Sequence, residues 1–278
     1  MTGPLEFTIL GSGSSGGVPR ADGDWGDCDP GDPRNLRTRC SLLVRRKGEG
    51  GPLAETTVVV DTSPDFRLQA VAAGARRIDA ALFTHDHADQ AHGIDDLRPF
   101  FLNQRRKIPT YADEATHAGL THRFDYIFEA RGGYPAICEP RLLPPHGKAW
   151  SLDGPSGNIP VQSFDLDHGG IQAVGFRFGD VAYTPDVSAV PEASWPALEN
   201  LDVWIVDALR WTPHPTHAHV ERALDWIARA KPRRAILTNL HIDLDFNRLS
   251  ARLPTGVEPA FDGMRILEPR ASLPPRSR

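Results

Sequence analysis

Cysteine is scarce in this chain: Cys28, Cys40 and Cys138 are the only three in 278 residues. An odd, sparse set excludes a disulfide framework. Long apolar runs are also missing, and none approaches the ~20 residues of a membrane span. Positive charge is not in excess. With 31 Lys and Arg against 36 Asp and Glu, the net charge is -5, which does not indicate a general nucleic-acid-binding surface. Met1 to Leu10 has neither the charged start nor the apolar stretch of a signal peptide, so the expectation is a soluble, cytoplasmic protein. There is no internal repeat and no strong linker. The 25 Gly and 25 Pro form no low-complexity tract and instead suggest many tight loops between short elements.

Several catalytic patterns are absent as well. No Gly-Lys-Ser/Thr follows the glycine-rich run Gly11 to Gly17, so it is not a P-loop, and no helix-borne pair of histidines four apart is present. No Gly-x-Ser-x-Gly elbow stands between a strand and a helix. What the chain does have is Thr84-His85-Asp86-His87-Ala88-Asp89-Gln90-Ala91-His92, with three imidazoles and two carboxylates in nine residues. The stretch follows an apolar run, Ile78 to Phe83, that reads as a buried strand. Buried His and Asp cost free energy unless they are paired or hold a metal, so this is a candidate metal loop.

The pattern recurs along the chain. Val58-Val59-Val60 ends in Asp61, Val161 to Leu166 leads to Asp167-His168, and Val181 to Thr184 leads to Pro185-Asp186. Asp202 to Val206 ends in Asp207, and Ala235 to Thr238 is followed by Asn239-Leu240-His241. Strand ends gather side chains from distant sequence at one sheet edge. Imidazole suits Zn, Mn or Fe, and carboxylates suit harder cations. Ser63 and Pro64 read as a helix start, as does Thr216, which would set His217 at the mouth of a helix carrying Val220, Ala223, Leu224 and Ile227 on one face. Residues 20–39 read as a long irregular loop of the kind that is often functional. Residues 125–150 read as irregular and aromatic-bearing.

His85-x-His87-x-Asp89, an isolated His168, an isolated Asp186 and a late His241 resemble the signature of the metallo-β-lactamase fold. The resemblance covers roughly residues 5–268. Leu10 to Pro19, Asp61-Thr62-Ser63-Pro64-Asp65-Phe66-Arg67 and Gly93-Ile94-Asp95-Asp96-Leu97-Arg98 are similar to the branch of phosphoribosyl cyclic phosphate phosphodiesterases. The protein of pyrroloquinoline quinone biosynthesis is a neighbour of that branch. The resemblance implies an α+β, four-layer αββα sandwich, read here as a single domain over residues 1–269 with a disordered tail at 270–278.

It also implies two divalent metal ions, Zn or Mn. His85, His87 and His168 would hold the first, Asp186 would bridge, and Asp89 would serve the second and the reaction. Asp61 would steady the His loop, and His217 would protonate a leaving group. Gln90 and Asn239 stand where the family commonly has histidine. The second site is then weak, or favours Mn or Mg, or takes Gln90, His241 or His92 as a ligand. The implied reaction is hydrolysis of a small cyclic nucleotide or sugar phosphate by a metal-activated water, with Arg98 or Arg210 on ribose or phosphate. The alternatives are a carboxylic ester, lactone or thioester hydrolase, and a non-catalytic metal- or ligand-binding protein. The expected partner is a small phosphorylated substrate, with no membrane and a homodimer as the candidate assembly.

Overall fold

Two seven-stranded sheets face each other across the centre of the computed structural model, which describes residues 3–268. The expected tail lies outside the described residues. In chain order the first sheet is built from β1 (Leu5–Gly11), β2 (Ser41–Arg46), β3 (Thr56–Val60), β4 (Ala80–Leu82), β5 (Ile108–Ala112) and β6 (Cys138–Leu142). The second contains β7 (Ala149–Leu152), β8 (Ile159–His168), β9 (Ile171–Phe178), β10 (Val181–Thr184), β11 (Val203–Asp207), β12 (Arg234–Thr238) and β13 (Val257–Pro259). The chain then returns to add β14 (Arg265–Leu267) beside β1. The strand orders are β14-β1-β2-β3-β4-β5-β6 and β13-β12-β11-β10-β9-β8-β7.

The sequence of β2 and β3, Ser-Leu-Leu-Val-Arg-Arg and Thr-Thr-Val-Val-Val, explains why they are central. β-Branched and aliphatic residues fit a pleated, buried surface, and their alternation serves two faces. Leu42, Val44, Val58 and Val60 point into the layer between the sheets, where they meet Val174, Phe176, Phe178, Tyr183 and Ile205. Leu43 and Val59 point the other way, against Phe66, Ile94 and Phe100. Those residues belong to the outer helical layer, formed by α1 (Phe66–Ala72), α2 (Ala88–Ala91), the short 3-10 turn Ile94–Leu97, α3 (Arg98–Gln104), α4 (Glu114–Arg123) and α5 (Asp125–Phe128). On the far side, Trp204 and Val206 of β11 pack with Val220 and Ala223 of α6 (Val220–Ala230) and with Leu249 of α7 (Phe246–Ser250). Helix, sheet, sheet, helix is the expected αββα order.

Direction matters more than count for the site. β3, β4, β5 and β6 run parallel, as do β10, β11, β12 and β13. β8 is antiparallel to β9, which is antiparallel to β10, so β8 ends at the same edge as β10. That edge therefore collects the residues at the C-terminal ends of β3, β4, β8, β10, β11 and β12. Two of these ends turn sharply. Asp61 and Asn239 have φ of 61° and 62°, the left-handed region that Asn and Asp tolerate better than most residues.

Three expectations need correction. The helix after Asp61 begins at Phe66 with Asp65 before it, and Ser63 instead receives the Asp65 N–H on its hydroxyl. The helix after His217 begins at Val220 with His219 as its cap, so Thr216 does not cap it and His217 does not open it. Residues 125–150 are not wholly irregular, since they contain β6 and the start of β7. Cys138-Glu-Pro-Arg-Leu is exposed after its first residue. It pairs with β5 through the backbone ladder, helped by Arg141 against Tyr111, and leaves no alternating pattern to read.

Candidate metal centre and its surroundings

The His loop leaves β4 through Thr84, and Asp61 fixes that exit. The Thr84 N–H and hydroxyl both donate to the Asp61 carboxylate, at 2.8 and 2.9 Å. With its proton given to Asp61, the Thr84 oxygen accepts from His85 Nδ1 at 3.0 Å. His85 Nε2 is thereby left with a lone pair, and it is buried without a hydrogen-bond partner. Burial holds the His85 pKa well below the usual range, so the ring is neutral.

His87 and His168 complete the cluster. The rings of His85 and His87 are 4.5 Å apart, those of His85 and His168 4.8 Å, and those of His87 and His168 5.2 Å. His168 Nδ1 donates to the Thr216 carbonyl at 2.8 Å, which frees Nε2, and that atom faces His87 Nδ1 at 3.4 Å. Burial, with His217 nearby, lowers His168 to about 4. Three imidazoles converging on an orphaned nitrogen fit a divalent cation of the zinc type. The carbonyl on the far nitrogen of His168 is the partner that orients such ligands.

Asp186 joins from the next strand end. It is 2% exposed, and burial pushes its carboxyl well above the carboxylate range. His168, Asp186 and His217 offer a second set of donor atoms within 4.8 Å of one another. Both Asp186 oxygens accept amide protons, from Gln90 Nε2 at 2.9 Å and Asn239 Nδ2 at 3.4 Å. The Gln90 Oε1 is buried with no partner, so only its oxygen is left to serve a cation. Asp89 is on the rim, in a cavity of about 580 Å³ with Arg20 and Arg39. It is outside both clusters of converging donor atoms found among the described residues.

His217 is bound differently. Its Nδ1 meets Asp207 Oδ2 at 2.9 Å and Asp186 Oδ1 at 3.7 Å, and its ring is 4.7 Å from that of His168. Asp207, fully buried at the end of β11, also receives Val187 N–H at 3.1 Å and Asn239 Nδ2 at 3.2 Å. Burial alone would lower His217, but the Asp207 carboxylate outweighs it and raises the imidazole to about 9. His217 is therefore an imidazolium at neutral pH.

His241 does not reach the imidazole cluster. Its Nδ1 is 3.0 Å from Asp243 Oδ1 and its Nε2 2.7 Å from Arg20 Nη2, so both ring nitrogens are already engaged. His92 is exposed against Phe124, and Arg98 pairs with Asp95 at 2.7 Å; neither faces the centre. Arg210 does line a cavity of about 320 Å³ beside His217, with Ser14, Ser15 and Arg20. The glycine-rich run is both a close-packed turn and a cavity wall. A Cβ on Gly11 would sit 1.9 Å from the Arg39 carbonyl, which is why glycine is needed there. Thr84, Asp207, Arg20 and His214 were not anticipated as parts of the site. Asp207 had a signal, because it closes an apolar strand just as Asp61 follows one.

Comparison with known proteins agrees with this fold. A model of the beta-lactamase superfamily domain matches residues 56–242. A crystal structure described as a new diphosphatase from the PhnP family is 35% identical, with a TM-score of 0.82 over 94% of this chain and 97% of that one. Zinc-bound PqqB from Methylobacterium extorquens, 19% identical, has a TM-score of 0.70 over 94% of this chain and 99% of that one, a likeness of fold. An octanoyltransferase of Porphyromonas gingivalis is 29% identical over 95% of this chain, but the chain spans only 51% of that protein's length. No helix among the described residues is long and apolar enough to cross a membrane.

Proposed function

The chain belongs to the beta-lactamase superfamily, and on that footing we propose that it is a metal-dependent phosphodiesterase acting on a small nucleotide or sugar phosphate. The observation that supports this most is His217. It is an imidazolium raised to about 9 by Asp207, with its ring 4.7 Å from that of His168. A proton donor at the edge of a metal centre is what an alkoxide leaving group requires. The PhnP-family diphosphatase, at 35% identity, supports phosphate chemistry over acyl chemistry.

His85, His87 and His168 would hold one cation. Asp186, Asp89 and the Gln90 oxygen would serve a second, with zinc or manganese as the candidates. Bound there, the cations supply an activated water of pKa ~7 and charge neutralisation at the phosphate oxygens. The protein's own residues supply orientation and proton traffic. Asp61 and Thr84 fix the His85 tautomer, and the Thr216 carbonyl fixes that of His168. Gln90 and Asn239 hold the Asp186 carboxylate in place. His217 delivers its proton to the departing oxygen, and Asp207 stabilises the charge while the proton is held.

Metal-loaded protein tested against a bis-aryl phosphate, a 2′,3′-cyclic nucleotide, a lactone and an acyl thioester checks the reading. Turnover is expected with the phosphate diesters, lost on chelation and restored by zinc or manganese. Full diesterase activity in metal-free protein, or turnover confined to the lactone or thioester, would overturn it.

A further inference from the structure

The His loop has little structure of its own. Asp89 and Gln90 are carried by α2, a helix of one turn, with His87 before it and His92 after it. One turn of helix does not stand alone, because its nucleation costs more than its few hydrogen bonds return. No side chain caps its start. The three imidazoles also differ in support. Thr84 orients His85, and the Thr216 carbonyl orients His168. His87 is exposed, and among the described residues its hydrogen-bonding contact is Nδ1 facing His168 Nε2.

What lies against both ends of α2 is α4. Asp86, between His85 and His87, reaches α4 and pairs with Arg123 Nη2 in its last turn. The Asp86 carboxylate lies over Gly119, where a Cβ would be 2.1 Å from Oδ2 and 2.9 Å from Cγ. Glycine inside a helix is unfavourable, and here it leaves the space that Asp86 fills. At the other end, the His92 ring stands edge-on to Phe124, the residue that closes α4, with centroids 5.4 Å apart and planes at 84°. α4 is itself anchored. Asp113 caps its start by accepting the Thr116 N–H at 2.7 Å, and Leu120 is buried in the core. A fixed helix therefore touches the His loop before and after the turn that carries the ligands.

We propose that α4 clamps the His loop, with Asp86–Arg123 seated over Gly119 at one end and His92–Phe124 at the other, so that His87 and Gln90 are aimed at the cations. Asp86, Arg123 and His92 are positioning residues, and His92 is not a metal ligand. This role rests on His87 being a ligand in the proposed metal centre and does not depend on the substrate. The Asp86–Arg123 pair is partly exposed, so it adds little to the stability of the fold. Its effect is on where His87 points.

Zinc affinity, measured by competition with a chelating dye, tests this without turnover. Arg123→Met and Asp86→Ala should each weaken zinc about tenfold, the low end of what losing a group that orients a ligand costs. The double variant should be no weaker than either alone, because the two side chains act as one unit. Arg123→Lys should keep part of the affinity. Gly119→Ala should weaken zinc as well, although alanine is the better helix former. His92→Leu, which can still pack on Phe124, should keep zinc within about twofold. In chelator-treated protein, the urea midpoint of Arg123→Met should match that of the unaltered chain. Zinc affinity in Arg123→Met within about twofold of the unaltered protein, losses that add in the double variant, a lowered midpoint in metal-free Arg123→Met, or zinc lost from His92→Leu would each overturn the clamp and leave the imidazole centre standing. An unaltered protein that takes up no zinc would remove the centre, and the clamp with it.

Discussion

Asp207→Asn isolates the electrostatic partner of His217. The change keeps the shape of the side chain and removes its charge. His217 is 16% exposed at the side chain and raised from 6.5 to about 9, which corresponds to roughly 3 kcal/mol in favour of its protonated form. Without the Asp207 carboxylate, burial is opposed by Asp186 and Asp89 alone, and the pKa should fall toward the ordinary imidazole value of about 6.5. At pH 8 the protonated fraction would then drop from roughly 90% to roughly 3%, about a thirtyfold loss of the acid form. At pH 6 the loss is less than about twofold. The rate of phosphodiester hydrolysis should follow, with the basic limb of the kcat profile moving down by more than about two pH units.

The same pair appears in stability. A histidine whose folded pKa is raised contributes stability that is fully present below its unfolded value near 6.5 and is lost as pH rises through about 9. In chelator-treated protein, urea unfolding should show the largest gap between the unaltered chain and Asp207→Asn near pH 6. The gap should shrink above pH 9. A variant whose rate profile and stability gap are both insensitive to pH would refute the coupling.

Metal removal should lower the melting midpoint, because a cation at a hundredfold excess over its Kd stabilises the folded state by about 2.7 kcal/mol. His168→Ala should abolish that response to chelator, as read by scanning fluorimetry with elemental analysis. Phe176→Ala empties a fully buried position between the sheets and should cost about 3–5 kcal/mol in urea unfolding; a cost under about 1 would contradict the packing. Gly93→Ala would place a Cβ 2.0 Å from the Ser63 carbonyl and 2.9 Å from Phe66 Cβ. The His loop must then shift, with an expected loss of about 1–3 kcal/mol and faster metal release into a chelating dye.

The strands bearing Val58 to Val60 and Asp202 to Val206 were legible because both of their faces are buried, which leaves continuous apolar runs in the sequence. β6 was not legible, since its outer residues face solvent. The imidazole cluster was legible because polar residues closing apolar strands have few structural uses. The misplacement of His217 at a helix mouth has a simple cause. Thr216 is a good cap by type, but its carbonyl is used to orient His168, and the chain needs three more residues before helical geometry begins at Val220. Local preference gave way to a contact 48 residues away. His241 misled for the converse reason. It follows a buried strand as the cluster residues do, but the left-handed turn at Asn239 carries the chain toward the loop 20–39, and only the packing of Arg37 and Asp27 against residues 242–244 decides that its neighbour is Arg20.

Gln90 and Asn239 show how much of the site depends on hydrogen bonding that sequence spacing does not reveal. Each is an amide at a position where an imidazole would offer one lone pair. Here each gives an N–H to Asp186, and Asn239 also gives one to Asp207. The effect is to join two buried carboxylates that would otherwise repel. Asp186 and Asp207 both have carboxyl groups pushed upward by burial, and a shared donor between them, together with the His217 proton, lowers the cost of keeping both ionised. Asn239 tolerates the positive φ that the strand end demands, so one residue meets a backbone and an electrostatic requirement at once. Gln90 retains a single unpartnered oxygen. A hard donor of that kind, next to a carboxylate held by amides, would suit an oxygen-seeking cation at the proposed second position, whereas the three imidazoles would suit zinc at the proposed first.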